Sequence, residues 1–247
     1  MIRRVAVVSD TNTHLGPDLA RELARRGHDL VVGEPHEGLI AELEALGSAV
    51  VEVVGVGDLA APTSVHTLVD RAIDRFGRID SACIRTGTIV TGSIFDASVE
   101  TLRQQVADNV ESVLHTLQAV LPPMIETGAG QVLIVTSASG DKPVVEAPIY
   151  SATRAAANML IRATALSIAT TGVTLNAVGT NFVDYPNFRA ATGADDPEVR
   201  ARYEQRVPMG RLGQPSEIAH FCAGLLDGRS NFQTGQFFAM SGGWSAT

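Results

Sequence analysis

RVAVVSDTNTHLGPDLARELARRG, residues 4–27, sets the architecture of this chain. The short run at 4–8 is rich in valine, which is typical of a buried strand. Pro17 opens a helix at 16–26, and Gly27 ends it. One face of that helix is apolar and carries Leu19, Leu23 and Ala24. A strand followed by a polar loop and an amphipathic helix predicts the first half of a βαβ unit.

The same alternation continues along the chain. It predicts strands at 4–8, 30–32, 50–54, 79–84, 132–136, 173–178 and 237–240. Between them it predicts helices at 16–26, 36–46, 62–76, 96–120, 148–170 and 215–226, with a cap at Asp96. This pattern is typical of an α/β fold in which helices cover both faces of a doubly wound, seven-stranded parallel sheet. We therefore expect a single domain, 1–247, with one long substrate-loop excursion at 184–207.

Composition excludes several classes of function. The formal net charge of −8 disfavours nucleic acid and anionic membranes as partners. Cys83 and Cys222 lack metal-ligand spacing and predict buried free thiols, and no metal site is expected. No apolar run approaches the roughly 18 residues of a membrane span, and the first strand leaves no room for a signal peptide. We expect a soluble, cytoplasmic protein.

Three residues in the spacing S-x12-Y-x3-R, Ser137, Tyr150 and Arg154, suggest proton-transfer chemistry at an alcohol. Tyr150 and Arg154 share a helix face, and a nearby guanidinium lowers the pKa of a phenol. Tyr150 could then act as a general base, while Ser137 hydrogen-bonds the same substrate oxygen and Ser139 lies nearby. A tyrosine with an arginine four positions later can also be a simple surface pair, and that alternative stays open.

Nearly the whole chain resembles the short-chain dehydrogenase/reductase superfamily, whose fold is Rossmann-like. The resemblance rests on the βαβ start, the three residues above, Asp58-Leu59, Asn109, Thr234-Gly235-Gln236 and Gly242-Gly243. Dehydrogenases of the superfamily carry T-G-x-x-x-G-x-G after the first strand, but 9–16 keeps only Gly16 of these glycines. Asp10 would bring a negative charge near a pyrophosphate, and His14 would fill space that a glycine leaves open. The four residues that usually read N-N-A-G after the fourth strand of these dehydrogenases are Ile84-Arg85-Thr86-Gly87 here. The P-G pair that usually follows the sixth strand is Thr180-Asn181 here.

These losses resemble one branch of the superfamily, the halohydrin dehalogenases, whose S-x12-Y-x3-R triad the chain matches in full. The resemblance implies a cofactor-independent lyase that converts vicinal halo-alcohols to epoxides plus halide. In reverse, a small anion such as azide, cyanide or nitrite would open the epoxide. It implies a halide site formed by His14, Thr180, Asn181, Phe182 and Val183. A protonated His14 would attract the anion, although His14 can equally be a packing residue.

The expected substrate pocket adds Ser139, Tyr185, Phe188 and Ile84 to the catalytic residues. The resemblance implies a homotetramer assembled through the two long helices. One alternative is an NAD(P)-dependent oxidoreductase with an atypical cofactor loop, because compositional drift could explain Arg154 in a chain whose single lysine is Lys142. Another is a non-catalytic binding or regulatory member, in which Tyr150 would have no role.

Overall fold

A seven-stranded parallel sheet runs through the centre of the protein in the computed structural model, which describes residues 3–246. The strands are β1 Arg4–Val8, β2 His28–Gly33, β3 Val50–Val53, β4 Ser81–Arg85, β5 Gly130–Ser137, β6 Val173–Thr180 and β7 Phe237–Met240. Their spatial order is β3-β2-β1-β4-β5-β6-β7, and every neighbouring pair is parallel. The predicted seven-stranded, Rossmann-like single domain is confirmed.

Helices cover both faces of the sheet. They are α1 Gly16–Arg25, α2 Leu39–Ala45, α3 Pro62–Phe76, α4 Val99–Val106, α5 Ser112–Thr127, α6 Pro148–Ser167, α7 Pro186–Thr192, α8 Pro197–Glu204 and α9 Pro215–Leu226. One core packs α3, α5 and α6 on the sheet, and a second core packs α1, α2 and α9 on the opposite face. None of the helices between residues 3 and 246 has the length and apolar character needed to cross a bilayer.

The helix expected at 96–120 differs in two ways. Its cap is Ser98 rather than Asp96, because the Ser98 hydroxyl accepts the Thr101 amide at 3.0 Å. A π-helical turn at Ala107–Glu111 divides it into α4 and α5. Such turns often mark functional sites, and this one carries Asn109.

The excursion at 184–207 contains two short helices, α7 and α8. Asp196 caps α8 by accepting the Glu198 and Val199 amides. Asp184 accepts from Arg189 and Arg200, so a partly buried ion-pair network holds the two helices together. The excursion is therefore an ordered wall above the carboxyl ends of β5 and β6.

Candidate active site

The carboxyl ends of β4, β5 and β6 open into a cavity of about 670 Å³. Ligands bind at this edge in open α/β sheets, where the strand order reverses on either side of β1. Eleven of the twelve side chains expected in the site line the cavity: His14, Ser137, Ser139, Tyr150, Arg154, Thr180, Asn181, Phe182, Val183, Tyr185 and Phe188. Ile84 is the exception, because it is fully buried in the core beneath β4 and does not reach the cavity.

Ser137 is the last residue of β5, and Ser139 follows in a short 3₁₀ turn, Ala138–Gly140. Their hydroxyl oxygens lie 2.7 Å apart, and the Ser139 amide donates to the Ser137 Oγ at 3.1 Å. The turn thus fixes the Ser137 hydroxyl at the cavity wall. Ser139 is a partner of Ser137 in this arrangement rather than its competitor.

Tyr150 lies in the first turn of α6, with the Arg154 guanidinium 5.2 Å from the centre of its ring. Burial opposes ionisation of Tyr150, but the charge of Arg154, hydrogen bonding to Ser137 and Arg154, and the charge of Arg85 together lower the pKa below its usual 10. Tyr150 is 8% exposed and Arg154 is 3% exposed, so these charges act with little screening by water. The arrangement can hold a phenol that exchanges a proton with a bound alcohol.

The segment after β4 fixes the position of Arg154 through hydrogen bonds to Thr86. Its Nη2 donates to the Thr86 carbonyl at 2.6 Å, and its Nη1 donates to the Thr86 hydroxyl at 3.3 Å. Gly87 follows with φ +81°, and a Cβ there would overlap Asn109 Oδ1 and Arg154 Nη2. Asn109 is fully buried and donates to Gln105 and Thr153, while its Oδ1 has no partner among the described residues. Sequence reasoning treated 84–87 as a damaged cofactor contact, whereas Gly87 is kept and Thr86 positions Arg154.

The first loop differs from the sequence-based expectation at Asp10. The Asp10 carboxylate turns inward, accepting the amides of Asn12 and Thr13 and the Thr13 hydroxyl. Arg85 Nε lies 3.5 Å from Asp10 Oδ2. The cation at the end of β4 therefore offsets the negative charge that was expected to repel a pyrophosphate.

His14 stands at the mouth of the cavity with φ +51°, a left-handed conformation uncommon outside glycine. Burial, the charge of Arg85 and the charge of Arg154 lower its pKa from 6.5 to about 4, against the opposing effect of Asp10. His14 is consequently neutral at physiological pH. Of the two alternatives for His14, a neutral ring fits the packing residue rather than an imidazolium that attracts an anion.

The segment after β6, which was expected to line a halide site, is ordered by local contacts at the cavity wall. Asn181 Oδ1 accepts the amide of Phe182 at 2.9 Å, so this N–H is already satisfied. Phe182 has φ +54° and packs edge-on against Trp244, with 5.7 Å between ring centroids. Val183 forms an isolated parallel bridge with Gly213.

An aromatic wall, defined here as Phe182, Phe188 and Tyr203, closes the substrate side of the cavity. The rings of Phe188 and Tyr203 are 5.4 Å apart, and those of Phe182 and Tyr203 are 6.4 Å apart. Tyr185 is buried behind His14, with ring centroids 5.1 Å apart, and burial raises the pKa of its phenol. The wall therefore favours an apolar substrate body.

Sequence reasoning missed four residues of the crevice: Glu34, Arg85, Thr86 and Asn187. Glu34 comes directly after β2 with φ +49°, and its Oε1 accepts the Val56 amide at 2.6 Å. An acidic residue about 20 positions after the first loop is a recognised signal for a dinucleotide ribose, and it could have identified Glu34. Arg85, Thr86 and Asn187 gave no signal, because their partners are distant in sequence.

Comparison with known proteins finds relatives that are named as reductases and dehydrogenases. A family model described as enoyl-(acyl carrier protein) reductase matches residues 11–245. The 2,5-dichloro-2,5-cyclohexadiene-1,4-diol dehydrogenase LinX of Sphingobium indicum is 27% identical, over 98% of this chain and 96% of the relative. Cis-4-hydroxycyclohexanecarboxylate dehydrogenase of Sinomonas cyclohexanicum is 31% identical, over 98% of this chain and 97% of the relative. A solved actinorhodin polyketide ketoreductase variant with NADPH is 28% identical, with a TM-score of 0.88 over 99% of this chain and 98% of that chain.

These names contradict the sequence-based prediction of a cofactor-independent halohydrin dehalogenase, a lyase acting on halo-alcohols and epoxides. The prediction relied on the full match to the S-x12-Y-x3-R triad and on the losses in the first loop and after β4 and β6. The structure instead shows Asp10 facing Arg85, and Gly87 retained where a Cβ would overlap Asn109 and Arg154. The matched length and the fold agree with the wider resemblance instead. The chain belongs to the short-chain dehydrogenase/reductase superfamily.

Proposed function

We propose that the protein is an NAD(P)-dependent oxidoreductase that interconverts a secondary alcohol and its carbonyl compound. The observation that carries the proposal is Tyr150, a buried phenol with a lowered pKa that lies between Ser137 and Arg154 at the wall of the cavity. The relatives named as dehydrogenases and ketoreductases support the reaction class.

The residues along the crevice fit a nicotinamide dinucleotide at both of its ends. Glu34 suits the ribose 2′-hydroxyl of NAD and disfavours the extra phosphate of NADP. No side chain caps the start of α1, so its first amides suit a phosphate. Arg154 Nε is buried and has no hydrogen-bond partner within residues 3–246, which suits a hydroxyl at the reacting end. These three features are the ones we assign to hold the coenzyme.

The proton chemistry follows from the cavity residues. The Ser137 hydroxyl hydrogen-bonds the substrate oxygen and sets it beside Tyr150. In oxidation Tyr150 accepts the alcohol proton, and in reduction it returns a proton to the forming alkoxide. Arg154 stabilises the phenolate, which reduces the free-energy cost of deprotonating Tyr150. The bound coenzyme supplies the hydride acceptor or donor.

The aromatic wall points to a compact ring as the substrate body. Flat or puckered rings bury apolar area against aromatic side chains, which is favourable by about 25 cal/mol for each Å² removed from water. Two relatives carry names of dehydrogenases for cyclohexadiene and cyclohexane alcohols. We therefore assign alicyclic secondary alcohols as the substrate class.

The test measures NAD⁺ and NADP⁺ reduction with a panel of cyclohexanols. We expect NAD⁺-dependent turnover that falls by about 10²–10⁴-fold in Tyr150→Phe. Tyr203→Phe removes the same atom from the aromatic wall and serves as the matched control, with turnover within a few-fold of the natural protein. Equal turnover in both variants would exclude Tyr150 as the base, and an absence of turnover in the natural protein would favour the non-catalytic alternative.

We also propose a homotetramer, assembled through α4, α5 and α6. Exposed apolar side chains on these helices support it: Val99, Leu102, Leu114, Met159 and Leu166. Light scattering should give four times the 26.0 kDa of the chain. A monomeric mass would contradict the assembly without affecting the proposed reaction.

A cytoplasmic location is the remaining proposal. Cys83 and Cys222 are both buried free thiols, and burial raises the pKa of each. Unpaired thiols suit a reducing compartment. Fractionation of source cells with an antibody to the protein tests the location.

A further inference from the structure

His14 lies where an extended ligand has to cross the sheet edge. Glu34 follows β2, whereas Ser137 ends β5, and these strands lie on opposite sides of β1 in the sheet. A ligand that contacts both residues must therefore pass over the loop that follows β1. His14 is in that loop, and its ring lines the cavity on the side of Tyr150.

The imidazole of His14 connects three separate segments. Its Nε2 accepts from Asn187 Nδ2 at 2.7 Å and from Arg85 Nη2 at 3.2 Å. Because Nε2 accepts from two donors, the proton is on Nδ1, which donates to the Thr13 hydroxyl at 2.9 Å. The first loop is thereby bonded to the end of β4 and to the start of α7.

Two polar atoms close to the His14–Asn187 hydrogen bond have unsatisfied hydrogen-bonding capacity. Asn187 Oδ1 and the Tyr185 hydroxyl are buried and have no hydrogen-bond partner among the described residues. Unsatisfied buried polar atoms cost free energy, and His14 adds the cost of a left-handed backbone. The neighbourhood is thus poised for rearrangement when a polar ligand supplies the missing partners.

We infer that the His14–Asn187 hydrogen bond is a gate across the coenzyme crevice, and that His14 sets the affinity for the dinucleotide. This inference rests on the proposed function. In the closed form the bond holds α7 against the first loop, and the dinucleotide binds only after it opens. The apparent dissociation constant is raised by the reciprocal of the open fraction. One net hydrogen bond corresponds to about a tenfold effect on that fraction.

The experiment is calorimetric titration of the full chain with NADH and with NADPH. His14→Gly removes the ring and relieves the backbone, whereas Asn187→Ala removes the side-chain amide, both the Nδ2 donor and the unpartnered Oδ1, and leaves His14 in place. Asn231→Ala makes the same change far from the crevice and is the matched control. We expect NADH to bind about tenfold more tightly to both gate variants, with the control unchanged.

A second readout is the ¹⁵N spectrum of the histidine rings. The bare Nε2 signal of His14, identified by its loss in His14→Gly, should shift when NADH saturates the natural protein. If the natural protein binds NADH and neither variant binds it more tightly, the gate is wrong while the proposed function stands. If none of the proteins binds NADH or NADPH, both are wrong. If His14→Gly does not fold, Asn187→Ala alone decides.

Discussion

Gly87→Ala is the substitution whose effect can be worked out most directly from the structure. Gly87 has φ +81°, and a Cβ there would overlap Asn109 Oδ1 and lie 2.6 Å from Arg154 Nη2. Both neighbours are buried, and Arg154 is tied to Thr86, so neither can move without breaking other contacts. The new methyl group must therefore displace the Arg154 guanidinium or the segment that carries residue 87.

The expected loss of stability has two parts. A side chain in the left-handed conformation costs about 1 kcal/mol relative to glycine. Overpacking of a close-packed site adds about 1–3 kcal/mol. The sum, about 2–4 kcal/mol, is a large share of the roughly 5–15 kcal/mol that stabilises a typical domain. Urea unfolding monitored by circular dichroism measures it.

Gly128→Ala separates the two parts. Gly128 ends α5 with φ +69°, and a Cβ there would meet nothing within 4 Å. Its substitution should cost only the backbone part, about 1 kcal/mol. Gly87→Ala should also move the onset of alcohol oxidation to higher pH. A displaced Arg154 stabilises the Tyr150 phenolate less, so the pKa of Tyr150 is higher in this variant. Equal free energies of unfolding for the two variants, with unchanged pH profiles, would refute the packing described around Arg154.

Three further outcomes are expected. Arg154→Met should raise the pKa of Tyr150 and move the rise of alcohol oxidation to higher pH, measured as kcat/KM against pH. Glu34→Arg should favour NADPH over NADH, measured as the ratio of their dissociation constants. The pKa of His14 falls from 6.5 to about 4 on folding, so the unfolded chain binds the extra proton between these values and stability drops as pH falls through this range. The drop amounts to at most about 3 kcal/mol in urea titrations and should be absent in His14→Gln, in which residue 14 does not titrate.

Local pattern was sufficient to predict the sheet. Each strand of a doubly wound fold is buried on both faces, so an uninterrupted apolar run is itself the signal, as at Val132–Val135. The break between α4 and α5 was not predictable in the same way, because the π turn depends on Asn109 bonding to Thr153 on another helix. Ser98 rather than Asp96 as the cap is a choice between two suitable residues that local preference leaves open.

The grouping of Ser137, Tyr150 and Arg154 at one cavity was also predictable, because a strand end and one helix face bring the three residues together from spacing alone. Charges were harder to interpret. Asp10 is an unpaired carboxylate in the sequence, whereas in the structure it faces Arg85, which is 75 positions away. The prediction that Ile84 lines the pocket was wrong for a related reason. A strand buried on both faces shows no alternation of polar and apolar residues from which to decide which side chain reaches the cavity.

The loss of glycines from the first loop indicates a change in how the loop contacts a ligand. It does not by itself indicate a different reaction. The three glycines of such loops have different duties, and the last one permits close packing of helix and strand. Gly16 is that glycine, and a Cβ there would overlap the Asp10 carbonyl, so the fold requires it. Position 14 is where the backbone of such loops comes close to the ligand. By the proposed gate, a histidine at this position changes how the dinucleotide enters the crevice. In the proposed reaction the reacting atoms lie against Ser137 and Tyr150 rather than against the first loop. Because the Ser137–Tyr150 pair suits proton transfer in both a dehydrogenase and a dehalogenase, it indicates that an alcohol reacts but does not distinguish the two classes. The preference for a dehydrogenase rests on the names of the relatives.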